Sequence, residues 1–584
     1  MKERYNKMKK KKIVSLLMTS TMLLGTACST AEETTAEMTT LASQLETSTE
    51  ATEAPLPYTF GLGETFHANE PTTYTMFFSD ASWYAMQPEW ETEGVFKKIE
   101  EKTNVKLKLT SYDSNDYTQK ITLDLQAGNA AYIIPKVYDE SAFVDGGAVV
   151  PVSQYVQYMP YFTDFYNKYN MKEDIDSIYK ANGNFYRLPG MHEKTLINYS
   201  LIIRKDIFDA AGVDVPATEK DWTWDDLCDD LIKVKAYMVK EGMCKEKDYI
   251  WSDPWCGNES GHGNGGNLLN VIGNTYDVNA GWGLANGVRY DQDKQEFIFS
   301  PTTENYKEMC KVVNRFIKEG ILDPETFTQD DSTATDKFFN GQTAIISVNQ
   351  SQYGTYVTKM NEVLGEGKYD TYLVTPPKGS TNLSSAGATR LENGVMLSQK
   401  ALDDLGQDGF IELVRFVDWL FYSPEAYTLT KWGVEGETYK VNDDGKKELL
   451  PGFKCGGLGL VGSDEDTDIR LKWGYAGGNF FYAHSTAEST DHFTDVMTSF
   501  VNRNLEYRDQ PKLGPAVITS ADENEEMNLI ATPLIDNVNT WTLKFVTGKE
   551  DIDKKWDEYV KSCEDYKCAD LVSKTNEIAA RFKK

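Results

Sequence analysis

The sequence predicts an α/β protein with more than one domain. From Thr73 onward, short runs of apolar and β-branched residues alternate with longer stretches whose apolar residues recur at helical spacing. This alternation is typical of open sheets flanked by helices. The chain has 584 residues, a length that accommodates two large domains, or two to four domains of roughly 100–200 residues each.

The first elements have the clearest patterns. Residues 74–78 form a short apolar run typical of a buried strand, and Val95, Phe96 and Ile99 then recur at helical spacing. Apolar residues and lysines alternate over 105–109, the period of a second strand. Residues 118–127 predict another helix before a third apolar strand at 133–137.

The alternation continues along the rest of the chain. Short extended pieces at 149–152 and 185–189 precede a strand at 201–203 and a helix at 206–211. Four later helices are predicted, at residues 224–241, 303–319, 409–421 and 552–562. No stretch repeats at a fixed period, which argues against a repeat architecture.

The first 27 residues predict a secretory signal. Seven Lys or Arg residues and one Glu precede an apolar stretch at 13–24 that is short for a membrane span. Small residues then directly precede Cys28, which resembles the lipoprotein signal whose cysteine receives a diacylglycerol thioether. The alternative is an ordinary cleaved signal with a chance cysteine. Acylation of Cys28 implies a lipid anchor on the extracellular face of a bacterial cell membrane.

Residues 28–71 are expected to form a disordered tether. Between residues 29 and 57 the chain has eight Thr, six Glu and no Lys or Arg. Such a composition buries too little apolar surface to offset the entropy cost of ordering the chain. The segment is expected to hold a folded body away from the membrane.

Charge and cysteine content exclude several classes of function. After residue 27 the chain has 53 basic and 89 acidic residues, a net charge of −36 that disfavours nucleic acid as a partner. The seven cysteines after Cys28 form no CxxC pair, so no zinc site is expected. No other metal and no cofactor is expected. Mostly free thiols are expected, with one or two disulfides left open.

Short stretches spread over residues 72–584 carry a family resemblance. The most informative are 95–109, 146–152, 183–189, 306–325 and 432–439. In order and spacing they resemble the large lipoprotein members of extracellular solute-binding protein family 1, which include alginate- and oligosaccharide-binding proteins. Members of this family are the capture subunits of carbohydrate ABC importers and have no catalytic activity.

The resemblance implies a type II periplasmic-binding-protein fold. Two lobes, each a mostly parallel sheet flanked by helices, are expected to close on a ligand held between them. The N-lobe is expected to comprise residues 72–193 and about 376–432, and the C-lobe about 194–375 and 433–584. The implied protein is a monomer that delivers an oligosaccharide to ABC permease subunits in the membrane.

Aromatic residues in polar or Gly-rich loops are the candidate ligand contacts. Aromatic faces cover the C–H faces of sugars, while polar side chains satisfy the hydroxyls. The loop at 79–84 follows the first strand, where ligands of open α/β sheets bind. The candidates are Asp80, Trp83, Tyr84, Arg204, Trp251, Trp255, Trp282, Asn393, Trp432, Trp473 and Tyr475. For each Trp the alternative is packing within its own lobe.

Two other classes of function stay open. An anchored glycoside hydrolase needs two carboxylates about 5–10 Å apart across a cleft, and the many acidic residues do not exclude such a pair. A binder of a peptide or another non-sugar solute is also open, because a fold does not fix its ligand.

Overall fold

A computed structural model describes residues 58–81, 84–144, 146–195, 199–257 and 265–581. The predicted signal, Cys28 and most of the predicted tether lie outside the described residues. Within them, strands and helices alternate as predicted and build two main sheets, one in each of two lobes.

The strands of the described chain are, in order, β1 Tyr58–Thr59, β2 His67–Ala68, β3 Thr72–Asp80, β4 Val105–Asp113, β5 Ile133–Val137, β6 Leu188–Met191, β7 Tyr199–Arg204, β8 Val288–Asp291, β9 Glu296–Phe299, β10 Ile345–Asn349, β11 Thr371–Val374, β12 Leu391–Leu397, β13 Tyr439–Val441, β14 Lys447–Leu449, β15 Phe453–Lys454 and β16 Thr467–Asp468.

The α-helices of the described chain are, in order, α1 Glu89–Thr92, α2 Val95–Thr103, α3 Tyr117–Gln126, α4 Ser141–Val144, α5 Pro160–Lys168, α6 Lys172–Asp176, α7 Lys205–Ala210, α8 Val215–Thr218, α9 Trp224–Lys240, α10 Gly266–Thr275, α11 Glu304–Lys318, α12 Asp331–Phe339, α13 Gln350–Leu364, α14 Gln399–Tyr422, α15 Pro424–Trp432, α16 Ile469–Trp473, α17 Thr486–Ser489, α18 Asp495–Tyr507, α19 Ala521–Val546, α20 Ile552–Asp565 and α21 Cys568–Ala580. Short 3₁₀ helices lie at Val152–Tyr158, Gly281–Gly283, Ser300–Thr302, Pro324–Phe327 and Gly456–Leu458.

The first lobe is built on five strands in the order β4-β3-β5-β12-β6. β3 pairs in parallel with β4 along its whole length and with β5. β12, which comes much later in the chain, runs antiparallel between β5 and β6. The chain therefore leaves this lobe after β6 and returns to it as β12, so the lobe is discontinuous in sequence.

Apolar helix faces cover this sheet. Val95, Phe96 and Ile99 of α2 are buried, as their helical spacing predicts, and each contributes about 1.5–3 kcal/mol by its burial. The long helix α14 packs on α5, and its buried Asp418 accepts hydrogen bonds from the backbone N–H groups of Tyr161 and Phe162 at 2.9 and 2.8 Å. These bonds satisfy N–H groups in the first turn of α5 that have no partner within the helix.

The second lobe has a three-stranded sheet in the order β10-β7-β11. Both pairings are antiparallel, with Asn349 opposite Tyr199 in one and Thr371 opposite Arg204 in the other. The expectation of a mostly parallel sheet is therefore wrong for this lobe. The central strand β7 runs away from the first lobe, whereas β10 and β11 run back toward it. Because β7 points in the opposite direction to its two neighbours, both pairings are antiparallel.

A large helical core completes the second lobe. Trp224, Leu227 and Leu231 of α9 join apolar residues of α11, α19, α20 and α21 in one buried cluster. α9 begins at a capping box in which Thr223 and Asp226 bond to each other's backbone N–H groups, which fixes the first turn of the helix. All seven described cysteines are free, six of them buried.

The last part of the chain crosses between the lobes later than expected. Residues 433–482 pack on the first lobe: Ser79 and Asn479 exchange two hydrogen bonds of 2.8 Å, and the Trp90 indole donates to the Leu471 carbonyl. Phe500 and Val501 of α18, by contrast, lie in an apolar cluster of the second lobe. The chain passes between the lobes after β6, again before β12, and a third time after residue 482. We therefore place this third crossing near Asp491 rather than near Gly433.

The tether ends earlier than expected. Residues 58–71 were assigned to it by composition, but Tyr58 and Phe60 are buried and Phe66 has no exposed surface. The Phe66 ring lies 5.6 Å from the ring of Phe416 in α14. This aromatic contact makes residues 58–71 part of the folded first lobe.

Candidate functional site

A cavity of about 500 Å³ lies between the two lobes. This volume is within the usual range for small-molecule sites, about 300–1,000 Å³. Its walls come from β6, β7, β10, β12 and the segment after Gly456, and its lining includes His192, Thr195, Tyr199, Asn349, Thr389, Leu391, Glu392, Tyr482, His492 and Phe493. Because both lobes contribute, a ligand held here would bridge them.

Two segments that run between the lobes, one after β6 and one before β12, form one side of the cavity. Arg390 fixes both of them to the first lobe. Its backbone and guanidinium donate three hydrogen bonds of 2.7–3.0 Å to the buried carboxylate of Asp174. Its Nη1 also donates to the carbonyl of Glu193 on the other crossing segment at 3.2 Å. Beside this junction, His192 Nε2 lies 3.4 Å from Glu392 Oε2. The crossing chains are thus held at defined positions under the cavity.

Three aromatic rings form the second-lobe wall. Tyr199, the first residue of β7, lies edge-on to Trp255 and Trp282, with ring centroids 5.7 and 5.5 Å away. The two indoles are 6.3 Å apart, and both residues are half-buried. Such a group has apolar faces of the kind that cover the C–H surface of a sugar ring.

The loops that carry these rings are held by close backbone contacts. The Trp255 N–H donates to Asp331 Oδ1 at 2.6 Å, and Trp255 has a left-handed backbone with φ of 60°. A Cβ atom at Gly266 would lie 1.7 Å from the Trp255 carbonyl oxygen, so only glycine fits there. The indole is therefore positioned by the surrounding backbone.

Tyr138 faces this wall from the first lobe. It follows β5 directly, and 67% of its surface is exposed. Burial raises the pKa of Tyr199, and the nearby Tyr138 hydroxyl raises it further. The two phenols therefore lie close to each other on opposite sides of the gap.

Behind the cavity lining, the first lobe is organised around the loop at the carboxyl end of β3. Asp80 Oδ1 accepts the Met86 N–H at 2.9 Å and so holds the loop that follows β3. Tyr84 in that loop stacks on Trp90, and its hydroxyl accepts the Gly478 N–H at 3.1 Å. The Arg470 guanidinium lies 4.1 Å above the Tyr84 ring.

A buried charge cluster borders the cavity. Lys431, which is 1% exposed, donates to Asp491 Oδ1 at 2.7 Å, and Lys447 donates to Asp491 Oδ2 at 2.9 Å. Burial alone would raise the pKa of Asp491, but His492 and the two lysines lower it well below its usual range. Burial lowers the pKa of His492 to about 4. At neutral pH this cluster holds a carboxylate between two ammonium groups, beside an uncharged imidazole.

The sequence matches one family over more than half of its length. The family model for bacterial extracellular solute-binding proteins matches residues 94–405. The chain belongs to this family. No curated protein matches its sequence.

Solved structures are similar to this solute-binding protein over most of its length. The alginate-binding protein AlgQ2, in a structure without calcium ion, has a TM-score of 0.63 at 16% identity, covering 88% of this chain and 99% of its own. An HMO-binding, ABC-transporter-associated solute-binding protein from Bifidobacterium longum infantis has a TM-score of 0.65 at 14% identity, with coverages of 88% and 99%. FusA of S. pneumoniae, solved with kestose, has a TM-score of 0.62 at 16% identity, with coverages of 87% and 99%. The likeness confirms the predicted two-lobed type II fold.

Four of the predicted contacts are buried within one lobe of the solute-binding protein. Trp251 and Trp432 have no exposed surface, and Tyr84 and Tyr475 are 4% and 2% exposed. The Trp251 indole donates to Asp253 and the Trp432 indole to Asp491. The prediction that these rings face the ligand is wrong, because each ring is packed in the interior of its own lobe, and Trp432 is the last residue of α15 rather than part of a loop.

Arg204 and Trp473 also lie away from the cavity, and Asn393 lies behind its lining, where it donates to Glu392 at 3.3 Å. Arg204 is at the end of β7 opposite Tyr199, where it pairs with Asp206. Asn393 is 2% exposed within β12, because a central strand is covered on both faces. The Trp473 indole donates to Glu93 on the surface of the first lobe.

Trp255 and Trp282 pack on Tyr199, which lines the cavity, whereas Asp80 holds the loop after β3. The contact of all three residues with a ligand stays a prediction. Trp83 lies outside the described residues. Sequence reasoning missed several cavity residues, among them Tyr199, His192 and Asn349. Tyr199 begins β7 and Asn349 ends β10, a signal that the search for loop aromatics beside glycines did not use.

Among the described residues, no group of three His, Cys, Asp or Glu side chains converges as metal ligands do. The same residues contain no helix that combines the length and the apolar character of a membrane span.

Proposed function

We propose that this solute-binding protein captures an oligosaccharide between its lobes and delivers it to the permease of an ABC importer. The observation that carries the proposal is the aromatic wall of Tyr199, Trp255 and Trp282, faced by Tyr138 across the gap. Stacking surfaces on both lobes suit a chain of sugar rings, which has apolar faces on two sides. The proteins of similar fold, described as alginate-binding, HMO-binding and solved with kestose, support a saccharide as the class of ligand.

The cavity also supports binding without catalysis. Glycoside hydrolysis needs two carboxylates across the scissile bond. Among the described residues that line the cavity, Glu392 is the sole carboxylate, and it lies beside His192. A single carboxylate lacks the acid–base or acid–nucleophile pair of a glycosidase.

A saccharide screen tests the proposed binding. The purified full-length chain would be titrated calorimetrically with neutral and acidic oligosaccharides of two to six units, and the recovered ligands would be analysed for cleavage. We expect a saccharide to bind with a dissociation constant in the micromolar range or tighter and to be recovered intact. Binding of peptides but no saccharide would refute the proposal, and cleavage products would favour a hydrolase.

The location of the protein has a separate test. We propose that Cys28 is acylated and holds the protein on the extracellular face of the membrane, as the sequence before it predicts. Cys28→Ala should then appear in the culture medium, while Cys244→Ala, which alters another free cysteine, should stay with the membrane fraction. Retention of Cys28→Ala in the membrane would contradict the anchor.

A further inference from the structure

Two cations on the first-lobe side of the cleft have no carboxylate partner. Among the described residues, no Asp or Glu oxygen lies within 4 Å of the Lys136 ammonium or the Arg470 guanidinium. The chain beyond residue 27 has 89 acidic against 53 basic residues, so carboxylates are plentiful on its surface. Two cations left without one, at the edge of a ligand cleft, are positions where a ligand anion would supply the opposite charge.

Lys136 is directed by a β-bulge. Val137 pairs with Gly394 and Ile134 with Met396, so β5 has one more residue than β12 over the same stretch. Lys136 falls within this bulge and has a left-handed backbone with φ of 61°, which is unfavourable for a residue with a Cβ atom. Bulges redirect side chains and are frequent beside functional sites. Here the bulge places the ammonium 5.5 Å from the centre of the Tyr138 ring.

Arg470 is held flat between Tyr84 and the cavity lining. Its Cζ lies 4.1 Å from the centre of the Tyr84 ring. On its other side is Gly457, which lines the cavity: a Cβ atom there would lie 2.9 Å from Arg470 Nη1. The buried Nε has no hydrogen-bond partner among the described residues. The guanidinium is therefore fixed in orientation and still has an N–H group that can donate a hydrogen bond.

Both cations lie around the same tyrosine. A Cβ atom built on Gly478 would lie 2.6 Å from the Tyr84 hydroxyl and 3.6 Å from Lys136 Nζ. Since Arg470 covers the face of that tyrosine ring, Tyr84 separates and positions the two charges. Lys136 in turn contacts Tyr138, the ring that faces Tyr199 across the gap.

We infer that Lys136 and Arg470 form a subsite for the anionic group of an acidic saccharide, an inference that rests on the proposed saccharide-binding function. The group is a carboxylate of a sugar acid or a sulfate ester, both of which accept the forked hydrogen bonds of a guanidinium. The aromatic wall binds the sugar rings, and the two cations select those that carry a negative charge.

The test uses matched pairs of probes on the purified full-length chain. Oligosaccharides of galacturonic, glucuronic and mannuronic acid are compared by calorimetry with their methyl esters, and sulfated oligosaccharides with their desulfated forms. We expect the tightest ligand of the panel to be acidic, and its neutral counterpart to bind about tenfold or more weakly. Preference for the uronate pair or the sulfate pair identifies the anionic group.

Substitutions then assign the preference to these residues. Lys136→Gln and Arg470→Gln should each weaken the acidic ligand about tenfold and leave the neutral counterpart within twofold. Lys136→Arg keeps the charge and should retain most of the affinity, which separates loss of charge from loss of fold. Arg470→Lys keeps the charge but loses the forked donors, so its affinity should lie between those of the wild type and Arg470→Gln. Lys168→Gln, at an exposed lysine beside Tyr169, is the matched control and should change nothing.

The outcomes separate this inference from the proposed function. If the tightest ligand is a neutral saccharide, or if both Gln variants keep full preference for the acidic member, the anionic subsite is refuted while saccharide capture stands. If no saccharide of either charge binds, the proposed function fails and this inference fails with it.

Discussion

Tyr138 and Tyr199 stand on different lobes and face each other across the gap between them. Tyr138 directly follows the bulged strand β5 and is 67% exposed, whereas Tyr199 begins β7 and packs against two tryptophans. Their proximity contributes to the raised pKa of Tyr199. A ligand between the lobes would therefore contact an exposed ring on one side and a packed aromatic group on the other.

Replacing the exposed partner should affect binding alone. Tyr138→Ala removes a ring that buries little surface within the protein, so the free energy of unfolding should change by less than about 0.5 kcal/mol. The same change removes a ligand contact and should cost about 1–3 kcal/mol of binding free energy. Urea unfolding and calorimetry on one preparation measure both quantities. An unchanged affinity for the best saccharide would place the ligand elsewhere.

The second-lobe wall predicts a matched comparison between tryptophans. Trp255→Ala and Trp282→Ala should each weaken saccharide binding by about 1–3 kcal/mol, because each removes an apolar face from the cleft. Trp473→Ala is the control: it removes an equally large, half-buried ring that bonds to Glu93 outside the cavity. Equal losses of affinity in all three variants would show that the wall has no special role.

The buried tryptophans should report on stability instead. Trp251→Ala and Trp432→Ala each leave a large void and remove an indole donor to a carboxylate, so we expect losses of about 3–5 kcal/mol in the free energy of unfolding. Midpoints of urea unfolding, combined with one m value for all variants, give these free energies. Either variant with native stability and reduced affinity would contradict the placement of its ring in a core.

These outcomes show where sequence reasoning succeeded and where it stopped. Strand β4 was predicted at 105–109 and helix α2 at 95–100, because alternation and helical spacing reflect which side of an element is buried. The sequence gives no such period for a loop, so Trp251 and Trp255, four residues apart, looked equivalent although only one is in a core. Arg204 and Tyr199 lie at opposite ends of one strand, and only the direction in which β7 enters the lobe decides which end borders the ligand.

The buried cluster beside the cavity predicts a pH-dependent contribution to stability. In the folded protein burial lowers the pKa of His492 from 6.5 to about 4, so the unfolded chain binds this proton more readily. The contribution of His492 to the free energy of unfolding should therefore fall by roughly 3 kcal/mol as the pH drops from about 6.5 to about 4. Asp253 and Asp418, whose pKa values burial raises to about 7, act in the opposite direction in this window. Asp491, whose pKa is lowered, adds a further loss at more acidic pH.

Urea unfolding of the wild type and of His492→Gln at pH 7.5, 5.5 and 4.5 checks this dependence. The variant removes the titrating imidazole, so the stability of the wild type relative to the variant should fall across that window. His67→Gln, at an exposed histidine of β2, should retain the wild-type slope. Parallel profiles of the wild type and His492→Gln between pH 6.5 and 4 would contradict the assignment.

The boundary of the folded body predicts different effects for two deletions. Removing residues 29–57, which are rich in Thr and Glu, should leave the free energy of unfolding and the saccharide affinity nearly unchanged. Extending the deletion to residue 71 also removes Phe66, which has no exposed surface and packs on Phe416, and Glu64, whose carbonyl accepts from the Tyr161 hydroxyl at 2.7 Å. We expect this second deletion to cost at least about 3 kcal/mol, since losing a buried Phe side chain alone costs about 3–5 kcal/mol. Thermal and urea unfolding of the two proteins side by side decide the question, and equal stability of both would return residues 58–71 to the tether.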